Sequence, residues 1–329
     1  MELSILDLVF INQGQTARDA IQNSVQVAQA AEEFGYHRIW IAEHHNFPSI
    51  ASAATSVVIG HIAGATKSIR VGAGGIMLPN HSPLVIAEQF GTLESLYPNR
   101  IDLGLGRAPG TDQLTLRALR RDPMASQHFP EDVKELLHLL SSESNNDSVK
   151  AIPGIGTNVP VWILGSSLFG AQLAALLGLP FAFASHFAPN YLKDAIQIYQ
   201  KQFRPSKYLQ EPYVMMAMNV VAADTEEEAE FLFTSVQQSF LGILRNRRAP
   251  FPPPVPSMDP LWSEPEKQMA NQMLSISAVG TKLKVQAKIK NLLQDIKVNE
   301  LMIVSSIFDT KKRIRSLEIL MEIQDQIET

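Results

Sequence analysis

The sequence predicts a single (β/α)8 TIM barrel carrying two loop insertions. Three observations lead there. Eight short apolar runs recur along the chain. Amphipathic helical patterns lie between them. The length, 329 residues, suits a barrel, which commonly takes about 250 residues and exceeds 400 with insertions. One domain over 1–329 is expected, with insertions at 141–159 and 249–265. An open doubly wound sheet is the competing architecture.

The strand candidates, in order, are 3–9 (LSILDLV), 37–42 (HRIWIA), 69–75 (IRVGAGG) and 101–105 (IDLGL). They continue at 160–164 (PVWIL), 180–184 (PFAFA), 214–221 (VMMAMNVV) and 300–305 (ELMIVS). Several are apolar on both faces, as strands buried beneath helices in a parallel sheet must be. Thr16 reads as an N-cap, Ile21, Val25 and Ala28 share a helix face, and Gly35 closes that helix. After Asp224-Thr225, three glutamates occupy a first turn, where the helix dipole favours them. Ala229, Leu232, Val236 and Phe240 follow on one face. Val285, Ile289, Leu292 and Ile296 make another stripe, and a last helix is expected over 310–327.

The two insertions break this rhythm. Residues 141–159 are polar, then rich in Gly and Pro, and read as a surface loop. Residues 249–265 (APFPPPVPSMDPLWSEP) are proline-dense, which argues against regular helix or sheet. They are expected to be a disordered loop, a lid or a subunit contact. Trp262 favours packing against something.

Composition narrows the function. The net charge is −5 without a long basic run, which argues against nucleic-acid and anionic-membrane partners. Cysteine is absent, so disulfides, thiol nucleophiles and thiolate metal sites are excluded. No apolar stretch reaches a membrane-spanning length. The first residues read as a strand and not an export signal, so a cytoplasmic location is expected.

A barrel active site lies at the C-terminal ends of its strands, so the residues following each strand are the candidates. Glu43-His44-His45 follow the second strand. Adjacent histidines suggest metal, but the spacing does not match H-E-x-x-H and no partner cluster is evident. No metal is expected. A strand-end histidine suits proton transfer, or it simply satisfies loop hydrogen bonds. Gly74-Gly75 end the third strand, where they make a bulge or let a planar ligand approach the main chain. Gly104-Leu105-Gly106-Arg107 end the fourth. The glycines do not fit a dinucleotide fingerprint. Arg107 is a fixed cation that either grips phosphate or pairs with a loop acid. Gly165-Ser166-Ser167 lead into a helix whose N-terminus either binds an anion or is merely capped by serine. Ser185-His186-Phe187 follow the sixth strand and either line a pocket or pack a loop.

Taken in order, these segments resemble the bacterial luciferase-like flavin monooxygenases. The matching stretches are Trp40 to His45, Val71 to Pro79, Leu103 to Arg107, Ile163 to Ser167 and Ala278 to Thr281. His81 to Phe90 and Phe183 to Pro189 resemble a subgroup of uncharacterised bacterial members. The resemblance implies reduced FMN, supplied by a separate flavin reductase, which works with O2 on a small organic substrate. It implies a catalytic role for His44, with Glu43 supporting the loop. It implies a cis peptide at Gly74–Gly75 beside the flavin ring, and phosphate contacts from Arg107, Ser166, Ser167 and the backbone near Gly170. Ser185 is a further candidate for the cofactor site. Relatives commonly pair, so a homodimer or higher homo-oligomer is expected. Luciferase catalytic chains carry a reactive cysteine where this chain has Gly106, so the resemblance does not extend to light emission. Three rival readings stand beside it: a deazaflavin-dependent hydride-transfer enzyme on the same fold, a flavin-binding protein without turnover, and a metal hydrolase.

Overall fold

Nine parallel strands organise the chain: Glu2–Asp7 (β1), Arg38–Ile41 (β2), Arg70–Met77 (β3), Ile101–Gly106 (β4), Val161–Gly165 (β5), Phe181–Phe183 (β6), Val214–Ala222 (β7), Ser277–Gly280 (β8) and Glu300–Val304 (β9). The structure is a computed structural model and describes residues 1–108 and 112–327. β1 to β7 pair in sequence, β7 pairs β9, and β9 returns to β1. This closes a ring of eight strands. They are the eight runs that the sequence predicts, so the barrel and not the open sheet is the architecture.

Alternation along each strand sorts the side chains. Ile5, Ile39, Val71, Leu103, Ile163 and Phe181 sit beneath the outer helices in the main core. Leu6, Trp40, Trp162, Ala182, Met215 and Met302 form a separate cluster inside the ring. In the N-terminal half of the barrel, β3 and β4 contribute no large apolar side chain to that interior. A Cβ on Gly72 would lie 2.6 Å from the Asp102 carbonyl oxygen and 2.8 Å from Trp40 Nε1, so the indole occupies the space that glycine leaves.

The barrel base is polar and fully paired. Arg38 donates from Nη1 to Asp102 at 2.7 Å and from Nε to Glu300 at 2.9 Å. Arg70 also pairs with Asp102, and Trp40 Nε1 donates to it at 3.2 Å. Glu300 further accepts from the hydroxyls of Ser4 and Tyr213. Burial alone would raise the Asp102 pKa, but the Arg38 and Arg70 charges hold it below its ordinary value.

The predicted caps are present. Thr16 and Asp19 make a reciprocal capping box at the start of helix Ala17–Phe34, and Gly35 closes it at φ 88°. Thr225 caps helix Glu226–Leu244 by accepting from the Glu228 N–H. Three expectations need correction. The stripe at 285–296 outruns its helix, which spans Lys282–Leu293. The final helix divides into Thr310–Met321 and Gln324–Ile327. The proline-dense insertion ends in a helix, Glu264–Met273, with Pro265 in its first turn and a Ser263–Glu266 capping box. Proline is tolerated there because first-turn N–H groups have no helical partner. The strand β8 was not among the predicted runs. Only four residues long, it adds to β7 outside the closed ring.

Both insertions pack against the barrel. A Cβ on Gly91 would fall 2.0 Å from the Gly154 Cα, so the loop at 141–159 lies directly on helix Pro83–Leu96. In the second insertion Phe251 is buried, stacks on Phe10 at 4.5 Å and exchanges backbone hydrogen bonds with Ile11 and Gln13. Among the described residues no helix is long and apolar enough to cross a membrane.

The base network predicts a stability effect. Arg38→Ala leaves two buried carboxylates short of their cation and is expected to cost about 3–5 kcal/mol. Urea unfolding at neutral pH measures this, and a loss under about 1 kcal/mol would show that Arg38 is dispensable to the base.

Candidate active site

A cavity of about 1010 Å³ opens at the C-terminal ends of the strands. Small-molecule sites commonly run from about 300 to 1,000 Å³. This one is at the upper end, with room for a large ligand and a second molecule. Its floor is the interior cluster around Leu6, Trp40 and Met302.

One group of lining residues suits an anion. Arg107 follows β4, and its guanidinium lies 4.0 Å from the Phe169 ring centroid. Among the described residues no carboxylate pairs with it, so the loop-acid alternative has no support there. Ser166 and Ser167 lead into helix Leu168–Leu177, yet the Ser167 side chain makes no cap hydrogen bond. The serine-capping alternative therefore fails for Ser167. Gly170 sits close behind: a Cβ on it would lie 3.1 Å from the Gly165 Cα. Arg107, both serines and Gly170 all line the cavity. A cation, two hydroxyls and a helix N-terminus are the donor set that phosphate takes.

Histidine also lines the cavity. His44 lines the cavity, while Glu43 beside it is fully buried behind the wall. One Glu43 oxygen accepts from His45 Nε2 at 2.7 Å and His81 Nε2 at 2.8 Å. The other accepts from the Met77 N–H at 3.1 Å. Burial would raise this carboxyl, but those hydrogen bonds and the His81 charge hold it at about 2. Glu43, His45 and His81 bring their ligand-type atoms within 4.8 Å of one another. The sequence reading missed that cluster because His81 arrives from after β3.

The Gly74–Gly75 peptide is cis. Gly74 lines the cavity, and a Cβ there would lie 2.6 Å from Leu6 Cδ1. Gly75 turns outward, towards the Gly104 carbonyl. Ser185 is not brought to the cavity. It is fully buried, and its hydroxyl donates to the Ala217 carbonyl at 2.5 Å. The next residue, His186, lines the cavity instead, with Asn219 from β7. β6 ends at Phe183 and residues 185–187 form a turn, so no strand alternation in the sequence marks His186 over Ser185.

The mouth adds residues with no sequence signal. Arg248 Nη1 donates to the Asn46 carbonyl and to Asp112 Oδ2, each at 2.9 Å, and its guanidinium lies 4.4 Å from the Phe47 ring. Phe251 and Leu261 from the second insertion also wall the cavity.

Comparison with known proteins places the chain in a family and supports its fold. The family model of the luciferase-like monooxygenases matches residues 1–300. A luciferase-like monooxygenase of Escherichia coli (strain K12) is 51% identical over 325 residues, covering 98% of this chain and 97% of that protein. An N-acetyl-S-alkylcysteine monooxygenase of Bacillus subtilis (strain 168) is 38% identical over 255 residues, covering 75% of each. Among solved structures, apo-MsnO8 superposes with a TM-score of 0.87 at 29% identity, covering 98% of each chain.

Burial holds His44 neutral. It lowers the imidazole pKa from 6.5 to about 4, with Glu43 opposing and His45 assisting. Burial, and then the neighbouring His44, lower His186 to about 3. Below pH 6.5 the unfolded chain binds protons that the native histidines refuse. The stability tied to their neutral forms is complete above pH 6.5 and is lost as pH falls towards 4 and then 3. In His44→Asn the urea midpoint should therefore decline less between pH 6.5 and 4 than in the wild type. Parallel declines would mean that His44 titrates normally.

Proposed function

We propose that this chain, which belongs to the luciferase-like monooxygenase family, uses reduced FMN and O2 to oxidise a small organic substrate. One observation carries the reading. Arg107, Ser166 and Ser167 present unspent donors to the same cavity that His44 lines. A phosphate suits that donor set, and His44 is a proton-handling group in the same space.

In this reading Arg107 and the two serines hold the FMN phosphate, with Gly170 allowing its close approach. Gly74 gives the ring system an unobstructed wall. Bound reduced FMN would supply the two electrons and two protons with which O2 places one oxygen atom in the substrate and releases the other as water. A separate flavin reductase delivers the reduced cofactor. His44, neutral at working pH, accepts or donates a proton at the reacting edge, and Glu43 keeps its loop in place through His45, His81 and Met77. Phe10, Phe251 and Leu261 wall the space left for the substrate and keep bulk water out.

Two substitutions test these roles. Arg107→Ala should weaken FMN at least tenfold while changing riboflavin by less than about twofold, since only FMN carries the charge that Arg107 meets. Equal losses in a fluorescence titration would take Arg107 off the phosphate. His44→Ala should still bind FMN but lose about 10²–10⁴ in turnover. Substrate-dependent oxygen uptake reads this directly. Hydride transfer to a deazaflavin without oxygen uptake would replace the monooxygenase reading altogether.

A further inference from the structure

We propose that His186 is a second catalytic residue, paired with His44, and that the two present neutral Nε2–H donors to an electron-rich atom of the ligand bound between them. This deepens the flavin-site reading and rests on it.

The two rings come from opposite sides of the barrel. β2 and β6 stand four places apart in the closed ring of eight, yet both histidines line one cavity. They are near enough for the charge of one to oppose protonation of the other. A ligand at the barrel mouth therefore lies against both.

His186 is held firmly. Ser185 ties the preceding residue to the Ala217 carbonyl at 2.5 Å, and Asn219 Nδ2 donates to the His186 carbonyl at 2.7 Å. Two anchors on β7 thus fix the backbone on each side. Phe187 packs edge-on against the ring at 4.8 Å, as Phe47 does against His44 at 5.4 Å.

The tautomer follows from what each ring lacks. Nδ1 of His44 and Nδ1 of His186 are both buried without a hydrogen-bond partner. A buried N–H without an acceptor is rarer and costlier than a buried lone pair without a donor. We therefore assign the proton of each neutral ring to Nε2. No described residue accepts from either Nε2, so both donors remain available. Preorganised neutral donors in a dry cavity stabilise charge developing on oxygen, and one such donor is typically worth about 10²–10³ in rate.

Imidazole ¹⁵N NMR of the intact chain tests the pair. At pH 7 both histidines should show neutral Nε2–H signatures, and adding FMN should move the resonances of both. His186→Gln should keep the wild-type melting temperature within a few degrees and lower substrate-dependent oxygen uptake by about 10²–10³. Bound FMN that moves His44 but leaves His186 unchanged would overturn the proposal and spare the flavin-site reading. So would wild-type turnover in His186→Gln. No FMN binding at all would remove both. Should His186→Gln fail to fold, the wild-type spectra still decide.

Discussion

The barrel depends on the charge network at its base. Ser4, Arg38, Arg70, Asp102 and Glu300 come from β1, β2, β3, β4 and β9, and Tyr213 immediately precedes β7. Six of the eight staves meet there. Two guanidinium groups and two carboxylates balance in charge, and Trp40, Ser4, Tyr213 and the Asn99 and Ile101 carbonyls supply further hydrogen bonds. A one-residue slip of any of these strands would carry its polar group to the outer, apolar face. The cost of stranding a buried charge therefore ties the strand register to the base, and the register decides which residues reach the cavity above.

Above the base, side-chain size decides where space is left. Trp40, Trp162 and Met215 fill the lower barrel, where the Arg38 guanidinium lies 4.9 Å from the Trp162 ring. Higher up the inward positions shrink to Ala42, Gly74, Gly106, Ala182 and Ala217, and the cavity begins. Its rim is assembled from distant segments. Arg248 ties the stretch after helix Glu226–Leu244 to Asn46 and Asp112, and Phe251 pins the proline-dense insertion against Phe10. An insertion that interrupts the sequence rhythm thus becomes a cavity wall.

The charged and neutral groups of the cavity differ in electrostatic design. Arg107 keeps a permanent cation near solvent, suited to an anion that arrives charged. His44 and His186 are desolvated, so their imidazoles stay neutral across the physiological range. Glu43 sits one residue from His44 but spends its charge on His45, His81 and Met77. The same burial that would penalise an isolated carboxylate is offset for Glu43 by three N–H groups, and nothing comparable offsets it for the histidines.

The sequence by itself determined the eight staves, the caps at Thr16, Gly35 and Thr225, and the strand ends where chemistry belongs, because local periodicity and turn chemistry encode them. Only the tertiary structure decided what meets across the barrel. His81 reaches Glu43 over 38 residues, Arg248 reaches Asn46 over 202, and His186 approaches His44 from the opposite stave. Such meetings depend on ring closure and strand register, which no window of sequence contains.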